Sequence, residues 1–295
     1  MDDSKSKRLI GVTVLPEYLQ VETVEAVLDR LQAAGVNAVT TSPYVMELAD
    51  EKTGSREPPI DAGAGSVRLL DRALWGQREL WVRTSPSFEP DRSLYQGLRY
   101  QPTEPNALTD RDGHIVDDFI AAAHDRDMQV YFQFQAAIPP GYRVQFGGPQ
   151  EDDRPRLPDG RIPERRVANN GSLASPHVID YAVALTHDLC RRYPQLDGIR
   201  YDWPEYPPYL LDDWFYDFGE HARAAAAAEG VDFEAMRNAA AALYTRLHGG
   251  LTNDDLDRCL CTDRSPEDSS WLADQEGEID AWLEFKTTLV DRVLA

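Results

Sequence analysis

Apolar and polar residues along the first two thirds of the chain follow two alternating periods, one typical of strands and one of helices. Short apolar runs bounded by turn residues predict strands, and apolar positions three and four residues apart predict amphipathic helices. Strands that alternate with helices of this length are joined by right-handed crossovers, so the strands are predicted to be parallel. The predicted elements are strands at 9–15, 36–42, 128–135 and 196–203, and helices at 21–35, 115–127 and 175–194.

Two long segments without such a period, 43–114 and 136–174, follow predicted strands and are rich in Pro, Gly, Arg and aromatic residues. In a (β/α) barrel the loops after the strands lie at the carboxyl face of the sheet, where active sites are built. Loops this long in a compact domain are often functional. We therefore expect both segments to lie on one face, around a site.

The chain beyond residue 210 is predicted to be mainly helical. The pattern there indicates helices at 211–228, 232–248 and 271–295 and one weak strand at 258–262. The predicted fold class is therefore α/β, a (β/α)8 TIM-barrel-like architecture with about four clear βα units and a helical C-terminal part. Residues 1–210 would supply the barrel units and 211–295 a helical segment that continues the barrel. Either a missing C-terminal half or a partner, such as a second copy, would complete it.

Charge and composition narrow the function classes. Acidic residues outnumber basic ones 51 to 30, for a formal net charge of −21. Such a surface repels nucleic acid and anionic membranes, so neither is an expected partner. The acidic, lysine-poor composition is also typical of proteins from salt-loving cells, where salt screens the repulsion; the alternative is an acidic mesophilic protein.

Sequence signals for export and for bound groups are missing. No apolar run is long enough to span a membrane, the N-terminus does not read as a signal peptide, and the three cysteines form no disulfide framework. A cytoplasmic location is expected. No glycine-rich phosphate loop, HExxH motif or nucleophile elbow occurs, so neither a cofactor nor a metal is predicted.

The candidate chemistry lies in the fourth predicted strand, LDGIRYDW. Strand alternation places Ile199, Tyr201 and Trp203 on one side and Arg200 and Asp202 on the other. The same rule turns polar side chains of the other strands to the side of Arg200 and Asp202: Thr13, Tyr131, Gln133 and Gln135. Because an ordinary barrel interior is filled with branched apolar residues, this polar interior indicates a site.

The pairing of Arg200 with Asp202 has a chemical interpretation. The guanidinium would hold the carboxylate ionised, as a nucleophile requires. Glu205, just beyond the strand, would serve as acid/base or bind a hydroxyl group. The alternative is a structural Arg–Asp pair with Glu205 on a solvated loop.

The residues Gly198–Asp202, GIRYD, resemble the Gly-Phe-Arg-X-Asp region of α-amylase-type glycoside hydrolases. The longer span 169–207 is similar to a pattern of uncharacterised glycoside-hydrolase-like barrel families, and the resemblance covers roughly residues 8–245. It implies Asp202 as nucleophile and Arg200 as its partner. The family's acid on the fifth strand and third carboxylate on the seventh have no located counterpart here.

Further residues suit a sugar site, although each has loop packing as the alternative. Aromatic rings stack on sugar faces, and amides, guanidiniums and carboxylates bind hydroxyl groups. The predicted substrate-binding residues are Trp203, Tyr206, Tyr142, Arg143, Gln133, Gln135, Asn169, Asn170, Tyr44 and Glu17, with Tyr209, Trp75 and Trp81 as further stacking candidates and His177 as a weaker contact. Arg161, Arg165 and Arg166 would hold an anionic sugar or pair with nearby acids.

Three functions remain open from the sequence. The first is a glycoside hydrolase that acts on a carbohydrate through Asp202. The second is a non-catalytic carbohydrate-binding barrel, which would lack a second carboxylate near Asp202. The third is a lyase or isomerase that acts on an acidic sugar through the arginine cluster.

Overall fold

The computed structural model describes residues 8–58, 69–142, 147–163, 169–204, 206, 209–260 and 276–295. The strands are β1 (Gly11–Thr13), β2 (Ala38–Thr41), β3 (Tyr44–Leu48), β4 (Ser55–Glu57), β5 (Leu80–Pro86), β6 (Gln129–Gln135) and β7 (Gly198–Asp202). The α-helices are α1 (Pro16–Glu22), α2 (Val24–Ala33), α3 (Ala107–Asp112), α4 (His114–His124), α5 (Pro176–Arg192), α6 (Glu220–Glu229), α7 (Phe233–Thr245), α8 (Asn253–Leu260) and α9 (Glu276–Leu294).

Four of the strands form a parallel sheet in the order β1-β2-β6-β7, as their alternation with helices predicts. The chain is therefore an α/β protein, and its four parallel strands are confirmed. Since β1 and β7 do not pair with each other, the sheet formed by the described residues has two free edges and does not close into a barrel.

One face of this sheet is apolar and covered by helices. Val130, Phe132 and Phe134 of β6 have at most 1% of their surface exposed. The ring of Tyr193, just after α5, contacts Phe132 edge-on at 4.8 Å between ring centroids. Such burial of large side chains is the main stabilising term of the fold, at about 1.5–3 kcal/mol for each side chain. The strand alternation predicted from the sequence is confirmed on this face.

The first predicted helix, 21–35, is two helices in the structure. Thr23 separates them with a φ of 72°, and its side chain caps α2 by accepting a hydrogen bond from the Ala26 amide. Pro16 begins α1 immediately after the first strand, because proline suits the first position of a helix. The apolar spacing of 21–35 hides this break, since it continues across both helices.

The segment 43–114 has regular structure of its own. It contains an antiparallel sheet in the order β3-β5-β4, a 310 turn at Arg92–Tyr95 and helix α3. The expectation of a long irregular loop is therefore wrong for this segment. Residues 136–174 are largely irregular where described, apart from a 310 turn at Glu151–Asp153.

Helices α6 to α9 and a 310 turn at Leu211–Phe215 form the C-terminal part. The indole of Trp282 on α9 stacks on Phe215 at 5.7 Å between ring centroids. The weak strand predicted at 258–262 is wrong for 258–260, which belong to α8, and residues 261 and 262 lie outside the described ranges. The N-terminal residues of the last predicted helix, 271–275, also lie outside them. No helix in the described ranges has both the length and the apolar character of a membrane span.

Candidate functional site

The other face of the parallel sheet, here called the open face, carries the polar strand positions. Register places Arg200 beside Gln133 and Asp202 beside Gln135, and paired residues of parallel strands share a face. The open face is defined by Thr13, Thr40, Tyr131, Gln133, Gln135, Arg200 and Asp202. The sequence-predicted polar surface is thus present, and the structure brings its members together.

Asp202 lies at the carboxyl end of β7, where parallel sheets commonly build their sites. Its Oδ2 accepts hydrogen bonds from Gln133 Nε2 and Gln135 Nε2, each at 2.9 Å. Both donors meet one oxygen, so Asp202 Oδ1 carries no hydrogen bond within the described part of the chain. The side chain is partly exposed. The carboxylate is therefore anchored by one oxygen and presents the other.

Gln135 has an unusual environment for a buried amide. It is 9% exposed, and its buried Oε1 has no hydrogen-bond partner among the described residues. A buried acceptor without a donor costs about 1–3 kcal/mol. The opposite orientation of the amide would place Oε1 against the Asp202 carboxylate. The hydrogen bond from Nε2 to Asp202 therefore favours the observed orientation.

Arg200 reaches across the sheet instead of turning to Asp202. Its Nη1 donates to Thr13 Oγ1 and to Thr40 Oγ1, both at 3.2 Å. No ion pair joins Arg200 to Asp202, which differs from the expected partnership. The side chain thus extends from β7 past β6 to hydroxyl groups on β2 and β1. Thr40 was not among the predicted site residues, although its alternation within AVTT matches that of Thr13.

Gly198 lies directly beside the Tyr131 ring on the open face. A Cβ atom at this position would lie 3.2 Å from two carbons of the Tyr131 ring. This distance is tighter than ordinary van der Waals contact, so the ring occupies the space beside the glycine.

Two aromatic candidates after β7, Trp203 and Tyr209, are in contact with each other and at least partly exposed. Trp203 has a φ of 53°, and this turn ends the strand. Its ring lies edge-on to Tyr209 at 5.6 Å, and Tyr209 is 54% exposed. Trp214 is 56% exposed farther along the chain. Trp81, by contrast, belongs to β5 of the antiparallel sheet, and Trp75 to the connection that precedes it.

Glu17 and Tyr44 contact each other but are buried. Glu17 Oε2 accepts a hydrogen bond of 2.9 Å from the Tyr44 hydroxyl, and at most 1% of either residue is exposed. Glu17 lies at the start of α1, which follows β1, the strand at the other end of the sheet order from β7. The pair is thus placed at the opposite edge of the sheet from Asp202.

Two further predicted sugar ligands have their side chains in the core. Tyr142 is 3% exposed, and burial raises the pKa of its hydroxyl, which therefore stays protonated. Tyr206 donates to Asp217 Oδ2 at 3.1 Å and accepts from the Leu173 amide at 2.9 Å. Its hydroxyl connects the segment before α5 to the C-terminal part.

The asparagines precede α5. Asn170 is fully buried, whereas Asn169 is partly exposed beside Gly148. His177 contacts His221 edge-on at 5.9 Å between ring centroids. These residues lie in the second long segment and the first turn of α5, and no hydrogen bond joins them to Asp202.

Several predicted site residues lie outside the described ranges: Glu205, Arg143, Arg165 and Arg166. Arg161 is described, and its guanidinium binds Asp159 Oδ2 at 2.7 Å and the Tyr244 hydroxyl at 3.4 Å. One member of the arginine cluster is therefore already engaged. Over the described ranges, no group of three His, Cys, Asp or Glu side chains is arranged to hold a metal ion.

No protein-family model matches this chain, and no curated protein resembles it in sequence. Among solved structures, β-galactosidase from the psychrophilic Marinomonas ef1 superposes with a TM-score of 0.41 and 13% identity, over 96% of this chain and 35% of that one. A noncanonic maltogenic α-amylase from Thermotoga neapolitana gives a TM-score of 0.34 and 14% identity, over 76% and 44%. The chain thus spans less than half of either protein, and similarity at this level carries no conclusion about its activity.

Proposed function

We propose that the protein is a glycoside hydrolase built on (β/α)-barrel units, with Asp202 as nucleophile or electrostatic stabiliser of an oxocarbenium-like transition state. The observation that carries the proposal is the Asp202 carboxylate, with Oδ2 bound by Gln133 and Gln135 and Oδ1 presented. Hydrogen bonds from two amides fix the orientation of the carboxylate, as both roles require.

The open face suits a sugar because it offers hydroxyl, amide and guanidinium groups around this carboxylate. Carbohydrate hydroxyls both donate and accept hydrogen bonds, so a surface of mixed donors and acceptors matches them. The exposed ring of Tyr209 and the partly exposed ring of Trp203, beyond the end of β7, would stack on an adjacent sugar unit.

Hydrolysis needs a second carboxyl group at about 5–5.5 Å in a retaining enzyme or about 6.5–9.5 Å in an inverting one. Glu205 is the proposed second group, because it follows Asp202 by three residues in the sequence. Glu17 does not suit this role, because it is buried against Tyr44 at the opposite edge of the sheet.

The test is a panel of aryl glycosides and oligosaccharides assayed with the native protein and with Asp202→Asn. Asn keeps the shape and accepts hydrogen bonds but removes the charge, so turnover should fall by orders of magnitude on any active substrate. Asp118→Asn, which removes an exposed carboxylate on α4, is the matched control and should retain activity. Full turnover by Asp202→Asn would exclude the proposed role.

A non-catalytic carbohydrate-binding protein is the second candidate. One observation favours it: among the polar strand positions that define the open face, Asp202 is the single carboxylate. In that case a sugar would raise the thermal unfolding temperature of the native protein, and no product would accumulate from any member of the panel.

A further inference from the structure

We propose that Arg200 binds an anionic group of the carbohydrate, namely the carboxylate of a uronic acid unit. This inference rests on the proposed function and specifies its substrate class. It assigns to Arg200 a contact with the substrate in place of the expected contact with Asp202.

The orientation of the guanidinium is fixed by two strands other than its own. Arginine has five N–H donors, two of them on Nη1. The Nη1 group binds both Thr13 Oγ1 and Thr40 Oγ1, which uses its two hydrogens. The remaining three donors belong to Nε and Nη2.

Of these three, Nε–H and one N–H of Nη2 lie parallel along the side edge of the guanidinium plane. Within the described residues, neither Nε nor Nη2 makes a hydrogen bond or an ion pair, and the residue is exposed. Parallel N–H groups at this edge match the two oxygens of a carboxylate in a bidentate arrangement. The group is thus preorganised for a planar anion.

Among the described residues Arg200 has no carboxylate partner, although the protein has a net charge of −21. Arg111, Arg126 and Arg192 illustrate the usual situation, since each pairs with one or more acidic side chains. Arg200 has an acidic residue two positions along its own strand and still does not bind it. Its side chain is held by neutral hydroxyls, and no described carboxylate pairs with its positive charge.

The position of Arg200 also suits a sugar bound at Asp202. Two residues along a strand span about 7 Å, which is roughly the scale of one sugar unit. A uronate whose glycosidic bond lies at Asp202 would direct its carboxylate toward Arg200. The cation would then offset the repulsion between the substrate's negative charge and Asp202.

The experiment compares two ligands that differ only in charge: an oligouronide and the same oligosaccharide after reduction of its carboxyl groups to alcohols. A sulfated oligosaccharide is the third ligand, since a sulfate ester is an anion of different shape. Affinities are measured by titration calorimetry with the native protein, Arg200→Gln, Arg200→Lys and Arg78→Gln. Arg78 is a matched control, because it too lacks an ion pair among the described residues and lies away from the parallel sheet.

We expect the native protein and Arg78→Gln to bind the oligouronide about ten- to a hundredfold more tightly than the reduced ligand. Arg200→Gln should lose this preference while it still binds the reduced ligand. Arg200→Lys should retain part of the preference, because lysine keeps the charge but not the fork. Thermal unfolding of each variant establishes that it is folded.

Equal affinity of the native protein for the charged and reduced ligands would overturn the assignment and leave the proposed function standing. An equal loss of affinity for the charged and the reduced ligand in Arg200→Gln would also overturn the assignment of Arg200 to a carboxylate. Tighter binding of the sulfated ligand than of the oligouronide would overturn the choice of a carboxylate. No binding of any carbohydrate would overturn both proposals.

Discussion

Replacement of Asp153 by alanine should destabilise the protein strongly, because this carboxylate connects parts of the chain that are distant in sequence. The side chain is fully buried. Its Oδ2 accepts from the Tyr100 hydroxyl at 2.5 Å and from Arg99 Nη1 at 2.9 Å. Its Oδ1 accepts from Ser175 Oγ at 2.6 Å and lies 2.9 Å from His221 Nε2.

The magnitude follows from the donors that the substitution would leave behind. The hydroxyls of Tyr100 and Ser175 are buried, and each unsatisfied buried donor costs about 1–3 kcal/mol. Loss of the ion pair with Arg99 and of the contact with His221 adds to this cost. The free energy of unfolding should therefore fall by about 4 kcal/mol, in the range typical of a broken buried ion pair.

The assay is urea unfolding followed by tryptophan fluorescence, with the midpoint and slope measured for each variant. Asp152→Ala is the matched control, because Asp152 also binds Arg99, at 2.7 Å, but its side chain is 63% exposed. That control should change stability by no more than about 1 kcal/mol. An equal effect of the two substitutions, or a loss below about 1 kcal/mol for Asp153→Ala, would refute the reasoning.

The pH dependence of the same measurement provides a second check. Burial by itself would raise the pKa of Asp153, but hydrogen bonds from Ser175, Tyr100 and Arg99 outweigh it and lower that pKa below its usual value. A carboxyl group whose pKa is lowered by folding stabilises the native state above its unfolded pKa of about 3.9. Its contribution should disappear as the pH falls through the lower, folded pKa, so the difference between native protein and Asp153→Ala should shrink in acid.

The other predictions concern Lys286 and the two glutamines that bind Asp202. Burial lowers the pKa of Lys286 to about 8, so the rate at which limiting acetic anhydride acetylates its neutral amine should reach half its maximum near that pH. The rate is measured by mass spectrometry. The same pH profile for Lys286 and Lys52 would contradict this prediction. Because the native state releases its proton first, Lys286 should also make stability rise between about pH 8 and pH 10.5. Replacing Gln133 or Gln135 by Leu should lower kcat about tenfold by releasing the Asp202 carboxylate, and unchanged kcat in both variants would exclude that positioning.

The parallel sheet could be predicted because its signal is local. Val130, Phe132 and Phe134 alternate with polar residues, and burial of the apolar set selects one face. The same alternation placed Arg200 and Asp202 together on the open face. The order of the strands also follows from their sequence order, as expected for successive βα units.

The antiparallel sheet within 43–114 could not be predicted in the same way. Strand β4 has the sequence SRE, and Arg56 and Glu57 are only 7% and 2% exposed. A strand that buries charged residues through specific partners has no apolar alternation to detect. In the described structure Arg56 binds Glu79 at 2.8 Å, a contact set by tertiary packing.

The site was predicted in part. Sequence alternation gives the face to which a side chain points but not the partner that it meets there. Arg200 was expected to contact Asp202, yet Thr13 and Thr40 bind it across the sheet. Tyr206 was predicted to bind substrate, and in the structure its hydroxyl binds Asp217. The partners of Arg200 and of Tyr206 lie on segments distant in the chain, which strand alternation does not reveal.

The most direct measurement for the central claim is chemical rescue of Asp202→Ala on a substrate that the native protein cleaves. The alanine leaves space for a small anion beside the amides of Gln133 and Gln135, which bind the carboxylate in the native protein. If Asp202 supplies the nucleophile or stabilising charge, turnover should be nearly abolished by the substitution and partly restored by added azide or formate. Turnover by Asp202→Ala at the native rate without any added anion would contradict the account.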